Sequence, residues 1–414
     1  MTYQLAHKIE LNCNDRQRTY FAKACGCARL AYNWALAKWK EDYESYRQAK
    51  DKDEHTPLKP PTEVALRRDF NAIKREKFPF VMEVTKCAPQ MAIKDLGKAF
   101  KNFFRNPKHF GYPQFRKKFA DDAFTISNDQ FEVKDCRIRI PKLGWVRMRE
   151  SLRFADAKLL SATISRTADR WFVSLQVELQ EMTHLSKAEN QGICGVDLGI
   201  HNLAVLSNGM RFEGSKSLGK SLKKLKRMQR CLSRRQKGSH RYARQRMKVA
   251  RLHARIANIR SDGLHKLTSY LSSHFETVVI EDLNVSGMLR NHHLARALSD
   301  MGLGELRRQL EYKMAWRGGQ VVAIDRFFPS SQLCRHCGSQ NKELTLAQRS
   351  WVCPHCGRKI EDRDLNAAIN IMNWAVSSTV TARGEGSSVA DAKVCKKLPS
   401  EKREENIKTR IEQS

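Results

Sequence analysis

The sequence predicts a chain in two parts. The first is an α+β half in which a helical bundle interrupts a small β-barrel. The second is an α/β half with a parallel-type sheet and an inserted four-cysteine knuckle. Three observations carry this. Short strand-like runs with turn signals recur from 123 to 179 and have one counterpart at 3–11. Uninterrupted apolar runs at 192–200, 277–283 and 319–325 alternate with segments of helical periodicity. Two C-x-x-C pairs, Cys334/Cys337 and Cys353/Cys356, stand fifteen residues apart.

The totals set the limits. A chain of 414 residues has room for two to four domains with real cores. No window approaches the roughly 18 apolar residues of a membrane span, so no membrane is expected. The start, M-T-Y-Q-L-A-H-K-I-E-L-N, has no basic, apolar and small-residue succession of a secretory signal, and a cytoplasmic location is expected. Net charge is +32 and the pI is near 9.9. A charge this one-sided calls for a polyanion, and nucleic acid is the usual one because binding releases its counterions. A merely soluble basic protein or a membrane-surface binder would scatter its cations; here they cluster.

In the first half, Tyr3, Leu5, Ile9 and Leu11 alternate with Gln4, Lys8 and Glu10, the pattern of a half-buried strand. Asn14-Asp15 offers a helix cap. Helical spacing over 15–45 places Tyr20, Ala24, Ala28, Ala31, Trp34 and Ala35 on one face. The charged stretch from Asp51 to Pro61 reads as a loop. Helices follow over 61–76 (Val64, Leu66, Phe70, Ile73) and 88–104 (Met91, Ile93, Leu96, Phe100, Phe103). Trp34, Trp39, Phe100 and Phe103 are read as bundle core. Strands are predicted at 123–127, 130–134, 136–140, 144–149, 158–166 and 170–179, and the strand at 3–11 should join them. The polar segment 180–191 closes this half.

In the second half, two strands at L-A-V-L and M-R-F-E meet at Asn208-Gly209, a hairpin signal. From Lys220 to Arg260 there are sixteen Lys or Arg and no Asp or Glu. Leu222, Leu225, Met228 and Leu232, then Tyr242, Val249, Leu252, Ile256 and Ile259, recur helically on either side of a turn at Lys237-Gly238-Ser239. Two basic amphipathic helices are expected, packing on the domain that follows. Lys223, Lys224, Arg227, Arg230, Arg234, Arg235, Arg241 and Arg244 are the candidate nucleic-acid contacts. A strand at 277–283, a helix at 297–317, a strand at 319–325 and a helix from Asp362 to Ala375 complete the half. The remainder, 376–414, reads as a disordered or weakly helical tail.

Three acids stand out. Asp197 lies within a buried strand, Glu281 ends one, and Asp364 opens a helix. An acid in an apolar strand is costly unless it is paired or bound to metal. Acids from three separated segments can converge at one end of a parallel-type sheet and hold two Mg²⁺ (or Mn²⁺) ions, which take oxygen ligands. Such a site hydrolyses a phosphodiester. Each acid taken alone could equally be a strand end, an N-cap or a salt-bridge partner. Sugar kinases and actin-like ATPases carry a similar D-x-G turn, but they need further glycine-rich phosphate loops, and none is found. Asp282 is read as a supporting group and Asp362 as a helix cap, with Asp362 an alternative third ligand. The four cysteines match a tetrahedral, closed and therefore structural Zn²⁺ site. His336 and His355, inside the knuckles, are left as solvent or nucleic-acid contacts. The other cysteines have no framework spacing and read as core residues or free thiols.

The order G-V-D-L-G-I, V-I-E-D-L, D-R-F-F-P-S-S-Q-L-C-R-H-C, C-P-H-C-G, D-R-D-L-N-A-A-I-N-I closely resembles the TnpB family, transposon-encoded RuvC-like nucleases related to type V CRISPR effectors. The specific motifs span about 192–375; the first half, including F-G-Y-P-Q-F-R-K-K, is similar more loosely. The resemblance implies an RNase H-like (RuvC) nuclease domain at 191–333 and 357–375 with a zinc ribbon inserted at 334–356. A wedge-like β-barrel at 1–14 and 106–190 would hold a helical recognition module at 15–105. Asp197, Glu281 and Asp364 would be the catalytic acids. The implied partners are a guide RNA from the transposon end and double-stranded target DNA cut beside a short adjacent motif, with one protein monomer per RNA. Sequence would then be read by pairing with the guide, and the protein would read backbone and shape. The three acids and four cysteines are all in place, so the inactivated relatives that act as repressors are a poor match. A strand-transferring transposase and an RNA-bound DNA-binding regulator are the competing readings. Arg326 is read as either structural or phosphate-facing.

Overall fold

Alternation at the N-terminus produces β1 (Tyr3–Asn12), with Leu5, Ile9 and Leu11 buried and Gln4 and Lys8 exposed. The structure, a computed structural model, describes residues 2–52, 57–120, 122–154, 157–180, 185, 189, 191–345 and 347–381. The chain forms two compact units, Met1–Met182 with Cys231–Ala254, and Thr183–Arg230 with Arg255–Ser414. The expected linker 180–191 falls mostly outside the described residues.

In the first unit, α1 (Asp15–Lys52) begins with a reciprocal cap. The Asn14 side chain accepts from the Gln17 N–H at 2.9 Å, and Gln17 Oε1 accepts from the Asn14 N–H at 3.0 Å. The helix outruns its predicted end at 45. Its alanine face (Ala24, Ala28, Ala31, Ala35) is buried, which lets α2 (Glu63–Lys77) and α3 (Cys87–Arg105) close upon it. Trp39 stacks on Phe100 with centroids 4.0 Å apart, as core aromatics should; Trp34 and Phe103 are half-buried. Val64 was placed on the apolar face but is exposed. It stands two residues before Leu66, off the line that runs to Phe70.

The six strands predicted between 123 and 179 are β2 (Ala123–Ser127), β3 (Glu132–Lys134), β4 (Arg137–Ile140), β5 (Gly144–Met148), β6 (Lys158–Thr167) and β7 (Arg170–Leu179). They form one antiparallel sheet in the order β2-β6-β7-β1-β5-β4-β3. β1 pairs with β7 from Tyr3↔Leu179 to Leu11↔Trp171, so α1–α3 are an insertion between sheet strands. Phe21 of α1 meets Trp171 at 5.2 Å and Phe124 at 6.0 Å, giving helices and sheet a shared core. The expected barrel is, among the described residues, a sheet whose ladder order leaves β2 and β3 as its ends.

The second unit contains a five-stranded sheet, built from β8 (Ile193–Asp197), β9 (Asn202–Leu206), β10 (Arg211–Glu213), β11 (Thr277–Glu281) and β12 (Gln320–Ile324). Its order is β10-β9-β8-β11-β12, with β8, β11 and β12 parallel and the β9–β10 hairpin antiparallel. The basic helices are α4 (Ser217–Ser233) and α5 (His240–His274). Residues 231–254 of this pair belong to the first unit. α5 continues fourteen residues past the predicted 260. Its buried row runs on through Leu264, Leu267 and Leu271, leaving Ile259, expected on the apolar stripe, exposed at 42%. After the short α6 (Val285–Met288), the helix predicted at 297–317 is two, α7 (Ala295–Met301) and α8 (Leu303–Trp316). Gly302 separates them with φ 71°, a conformation glycine adopts without strain. Buried Asp300 accepts from the Leu218 and Gly219 N–H groups, both at 3.0 Å, and so caps α4.

Both sheet faces are covered, which explains the unbroken apolar runs. On one face Cys194, Val196, Val278 and Ile280 meet Leu264, Leu267, Leu306 and Leu310. On the other, Val279 and Ile324 meet Ile371 and Ala375 of α9 (Arg363–Thr381). That helix runs past the point where a tail was expected to begin at 376; residues 382–414 lie outside the described residues. Between β12 and α9 sits a small hairpin of β13 (Trp351–Val352) and β14 (Lys359–Ile360). The knuckle therefore extends beyond the predicted 356, because its second half needs β14 to pair back on β13.

One backbone contact fixes this packing. A Cβ on Gly195 of β8 would lie 2.1 Å from the Ala368 carbonyl oxygen and 2.6 Å from the Met372 nitrogen, both on α9. Gly195→Ala should cost about 1–3 kcal/mol, because rigid backbone rather than a flexible side chain must move. Chemical denaturation measures it; a midpoint equal to that of the unsubstituted chain would refute the close approach.

Candidate functional site

The parallel ladder between β8 and β11 runs from Ile193↔Thr277 to Val196↔Ile280. The next residue on each strand is an acid, Asp197 and Glu281, so both leave the sheet at the same edge. Gly195 brings α9 against β8, and the first turn of α9 carries Asp364. Burial pushes the Asp197 carboxyl up to about 7, reinforced by the charges of Glu281 and then Asp364 and opposed by Arg363, with Asp362 adding a smaller push. Burial also raises Glu281, whose Oε1 accepts from the Ser330 hydroxyl at 2.7 Å. Asp364 accepts from Arg349 Nη1 at 3.2 Å. The structure thus brings Glu281 and Asp364 within electrostatic reach of Asp197. The three acids are less tightly gathered than the four cysteines, the group of ligand-type side chains among the described residues whose ligand atoms all lie within 4.8 Å. A carboxylate raised by burial and by two neighbouring carboxylates belongs to a hard-oxygen donor set, and a divalent cation such as Mg²⁺ fits such a set.

The neighbouring acids are engaged elsewhere. Asp362 Oδ1 accepts from the Asp364 N–H at 2.9 Å and the Leu365 N–H at 3.3 Å, capping α9. Its Oδ2 pairs with Arg211. Asp282 accepts from Arg307 at 2.6 Å and Arg326 at 3.0 Å, and the Arg307 hydrogen bond leads in holding its carboxyl below the ordinary range. Arg326 therefore has a structural partner.

Sequence reasoning missed the groups that tie the knuckle to the acids. Asn366 donates to the Leu333 carbonyl at 2.7 Å and accepts from the Arg335 N–H at 3.1 Å. Asn370 donates to the carbonyls of Ser330 and Leu333, both at 2.8 Å. Both asparagines are buried. The signal was present in D-L-N-A-A-I-N-I: amides four residues apart share one helix face, and on a buried face they must find partners. Arg349 and Ser330 gave no such signal.

The cysteines form two matching knuckles. In each, the first cysteine's carbonyl accepts from the glycine after the second cysteine (Gly338 at 2.8 Å, Gly357 at 2.9 Å). Sulfur separations are 3.8 Å for Cys334–Cys356 and 3.6 Å for Cys337–Cys353. Zinc–sulfur bonds of about 2.3 Å imply tetrahedron edges of about 3.8 Å, so the donor set fits Zn²⁺. His336 is taken up by Arg335 and Arg358.

All eight candidate basic residues are exposed: Lys223, Lys224, Arg227 and Arg230 in the second unit, and Arg234, Arg235, Arg241 and Arg244 in the first. Basic residues on these helices also serve structure, since Arg251 pairs with Asp169 at 2.7 Å.

With this geometry in place, comparison with known proteins gives the family. Family models match residues 174–292 ("Probable transposase"), 304–371 ("Cas12f1-like, TNB domain") and 1–48 ("Helix-turn-helix domain"). The last name does not describe what those residues form here, which is strand β1 followed by the unbroken helix α1. A structure titled "Cryo-EM structure of the Cas12f1-sgRNA-target DNA complex" shares the fold, with a TM-score of 0.55 at 13% identity, covering 90% of this chain and 99% of that one. A Streptomyces pristinaespiralis protein, "Putative RNA-guided DNA endonuclease", is 38% identical over 92% of this chain and 91% of its own. The Escherichia coli (strain K12) protein "Putative RNA-guided DNA endonuclease InsQ" is 34% identical over 96% of this chain and 97% of its own. Identity of this order along nearly the whole length means that the chain belongs to the TnpB family.

Proposed function

We propose that the chain is an RNA-guided DNA endonuclease of a transposable element, hydrolysing phosphodiesters at Asp197, Glu281 and Asp364. The observation that carries this is the meeting of three acids at one sheet edge, with Asp197 pushed to about 7 by burial and its neighbours. A carboxylate held this high by burial and like charge is stabilised when a cation binds beside it. Bound Mg²⁺ or Mn²⁺ would supply an activated water and stabilise the leaving oxygen. The chain's own residues set the stage. Ser330 orients Glu281, Arg349 holds Asp364, and the Asp362 cap fixes the turn from which Asp364 projects.

In this reading the five-stranded unit is an RNase H-like (RuvC) nuclease domain and the Cys334–Cys356 knuckle a zinc ribbon bracing it. The seven-stranded sheet and α1–α3 serve as a wedge and a recognition module. Guide RNA from the transposon end and target DNA, cut beside a short adjacent motif, lie along basic surfaces that include Lys223, Lys224, Arg227, Arg230, Arg234, Arg235, Arg241 and Arg244. A cytoplasmic monomer carrying one RNA completes the proposal.

Cleavage of a plasmid bearing a guide-matched target tests the site. Asp197→Ala should lower the rate at least about a thousand-fold, about 4 kcal/mol of barrier. Equal cutting would sink the assignment, and strand-transfer products formed without RNA would favour a transposase instead.

Stability gives a readout that needs no substrate. Asp197 has its pKa raised from 3.8 to about 7, so between those values the folded chain holds a proton that the unfolded chain has lost. Its contribution to stability therefore falls as pH rises from about 4 to 7, then levels. Asp197→Asn should stabilise the metal-free protein above pH 7 by a few kcal/mol. The gap should close at pH 4 and shrink when Mg²⁺ is added. A gap independent of pH would contradict the buried-acid cluster.

Chelating zinc, or Cys353→Ser, should lower the melting temperature by several degrees and reduce cleavage with it. Zinc-free protein that keeps its fold and cuts at the normal rate would remove the bracing role.

A further inference from the structure

Phe327 is 84% exposed, more than any other large hydrophobic among the described residues. Its neighbour Phe328 packs into the sheet core with Val279, Ile324 and Ile371. An exposed phenylalanine on a wandering loop would be unremarkable, but this loop is pinned at every step. Asp325 Oδ1 accepts from the Phe327 N–H at 2.7 Å, and the Asp325 carbonyl accepts from Phe328 at 3.1 Å. Arg326 is tied to Asp282 at 3.0 Å, and Ser330 donates to Glu281 at 2.7 Å. Phe327 is thus bracketed by residues that hold Glu281 and the residue after it. Three Cα steps, at most about 11 Å, separate it from Ser330.

We propose that Phe327 is a stacking platform for an unpaired DNA base beside the carboxylate edge. This rests on the nuclease reading above. A single exposed ring, preceded in sequence by Asp325 and by Arg326 with its partner Asp282, is too small and too charged in its setting for a protein interface, which needs a contiguous apolar patch. A nucleobase needs one flat ring, and every base has a face to offer it. Hydrolysis at a fixed set of acids also requires the strand to be held in register, and a base stacked on the loop that fastens Glu281 does that without reading sequence.

The test uses the full chain with its co-purifying RNA and a single-stranded oligonucleotide carrying 2-aminopurine. Phe327→Ala should raise KM for single-stranded DNA about ten- to hundred-fold, with a smaller change in kcat, whatever the oligonucleotide's sequence. Phe327→Trp should recover most of the loss and Phe327→Leu little of it. Unchanged KM in Phe327→Ala, or equal recovery by Leu and Trp, overturns the proposal. Fluorescence is read in the Asp197→Ala background, where no cutting is required. Quenching that disappears in Asp197→Ala/Phe327→Ala supports stacking even if the nuclease reading fails. Quenching that persists in that double variant refutes stacking even if wild-type protein cuts DNA.

Discussion

The approach of α9 to β8 is the constraint on which the second unit depends. Helices packed on a sheet normally stand off by the thickness of their side chains. At Gly195 that layer is missing, and the backbone of α9 fills the gap. Two consequences follow from the one contact. The helix covers Val279 and Ile324, sealing a face of the sheet that would otherwise be wet. Its first turn is also drawn to the strand edge where Asp197 and Glu281 emerge, so Asp364 joins them although more than eighty residues separate it from Glu281. A larger residue at 195 would disturb the core and the acid cluster together.

Such a cluster is unfavourable by itself. Burial and like charge both raise the Asp197 pKa, and nothing nearby fully offsets them. The surrounding chain resists the repulsion mechanically. Ser330 fastens Glu281, and Asn370 fastens the Ser330 carbonyl to α9. A hydrogen-bonded path therefore leads from β11 through the loop to the helix that carries Asp364. Buried amides serve well in this role, because an unpaired one would be costly, and that cost holds the loop to a single arrangement.

Much of this was legible in the sequence, and the reasons are specific. The strands between 123 and 179 mostly alternate and are separated by turns in which Asp135, Lys142 and Ala168 adopt positive φ. Such local patterns report local structure. The acids were legible because a carboxylate in or ending an apolar run is rare enough to demand a reason. What escaped depended on partners distant in sequence. Nothing near Ser330, Arg349, Asn366 or Asn370 announces the group each one meets. The break at Gly302 escaped because a glycine inside a periodic helix is often tolerated, and only its φ reveals a stop. That Asp362 caps α9 through the Asp364 and Leu365 N–H groups also needed the fold, since two candidates two residues apart do not disclose it in a sequence.

The knuckle is where structure most changed the reading. From spacing alone it is a closed metal site dropped between a strand and a helix. In the fold it makes three separate attachments near the acids. Arg349, just before β13, reaches Asp364 with its guanidinium and accepts from the Arg363 N–H at 2.8 Å with its carbonyl. Asn366 grips the chain on both sides of Cys334, the first of the four cysteines. An insertion that only needed to be carried along would require none of these contacts. Because Arg349 supplies positive charge to Asp364 from within the knuckle, folding of the four-cysteine hairpin and the charge balance at the sheet edge are linked. The four-cysteine hairpin is thus joined to the helix that carries Asp364 through both backbone and charge.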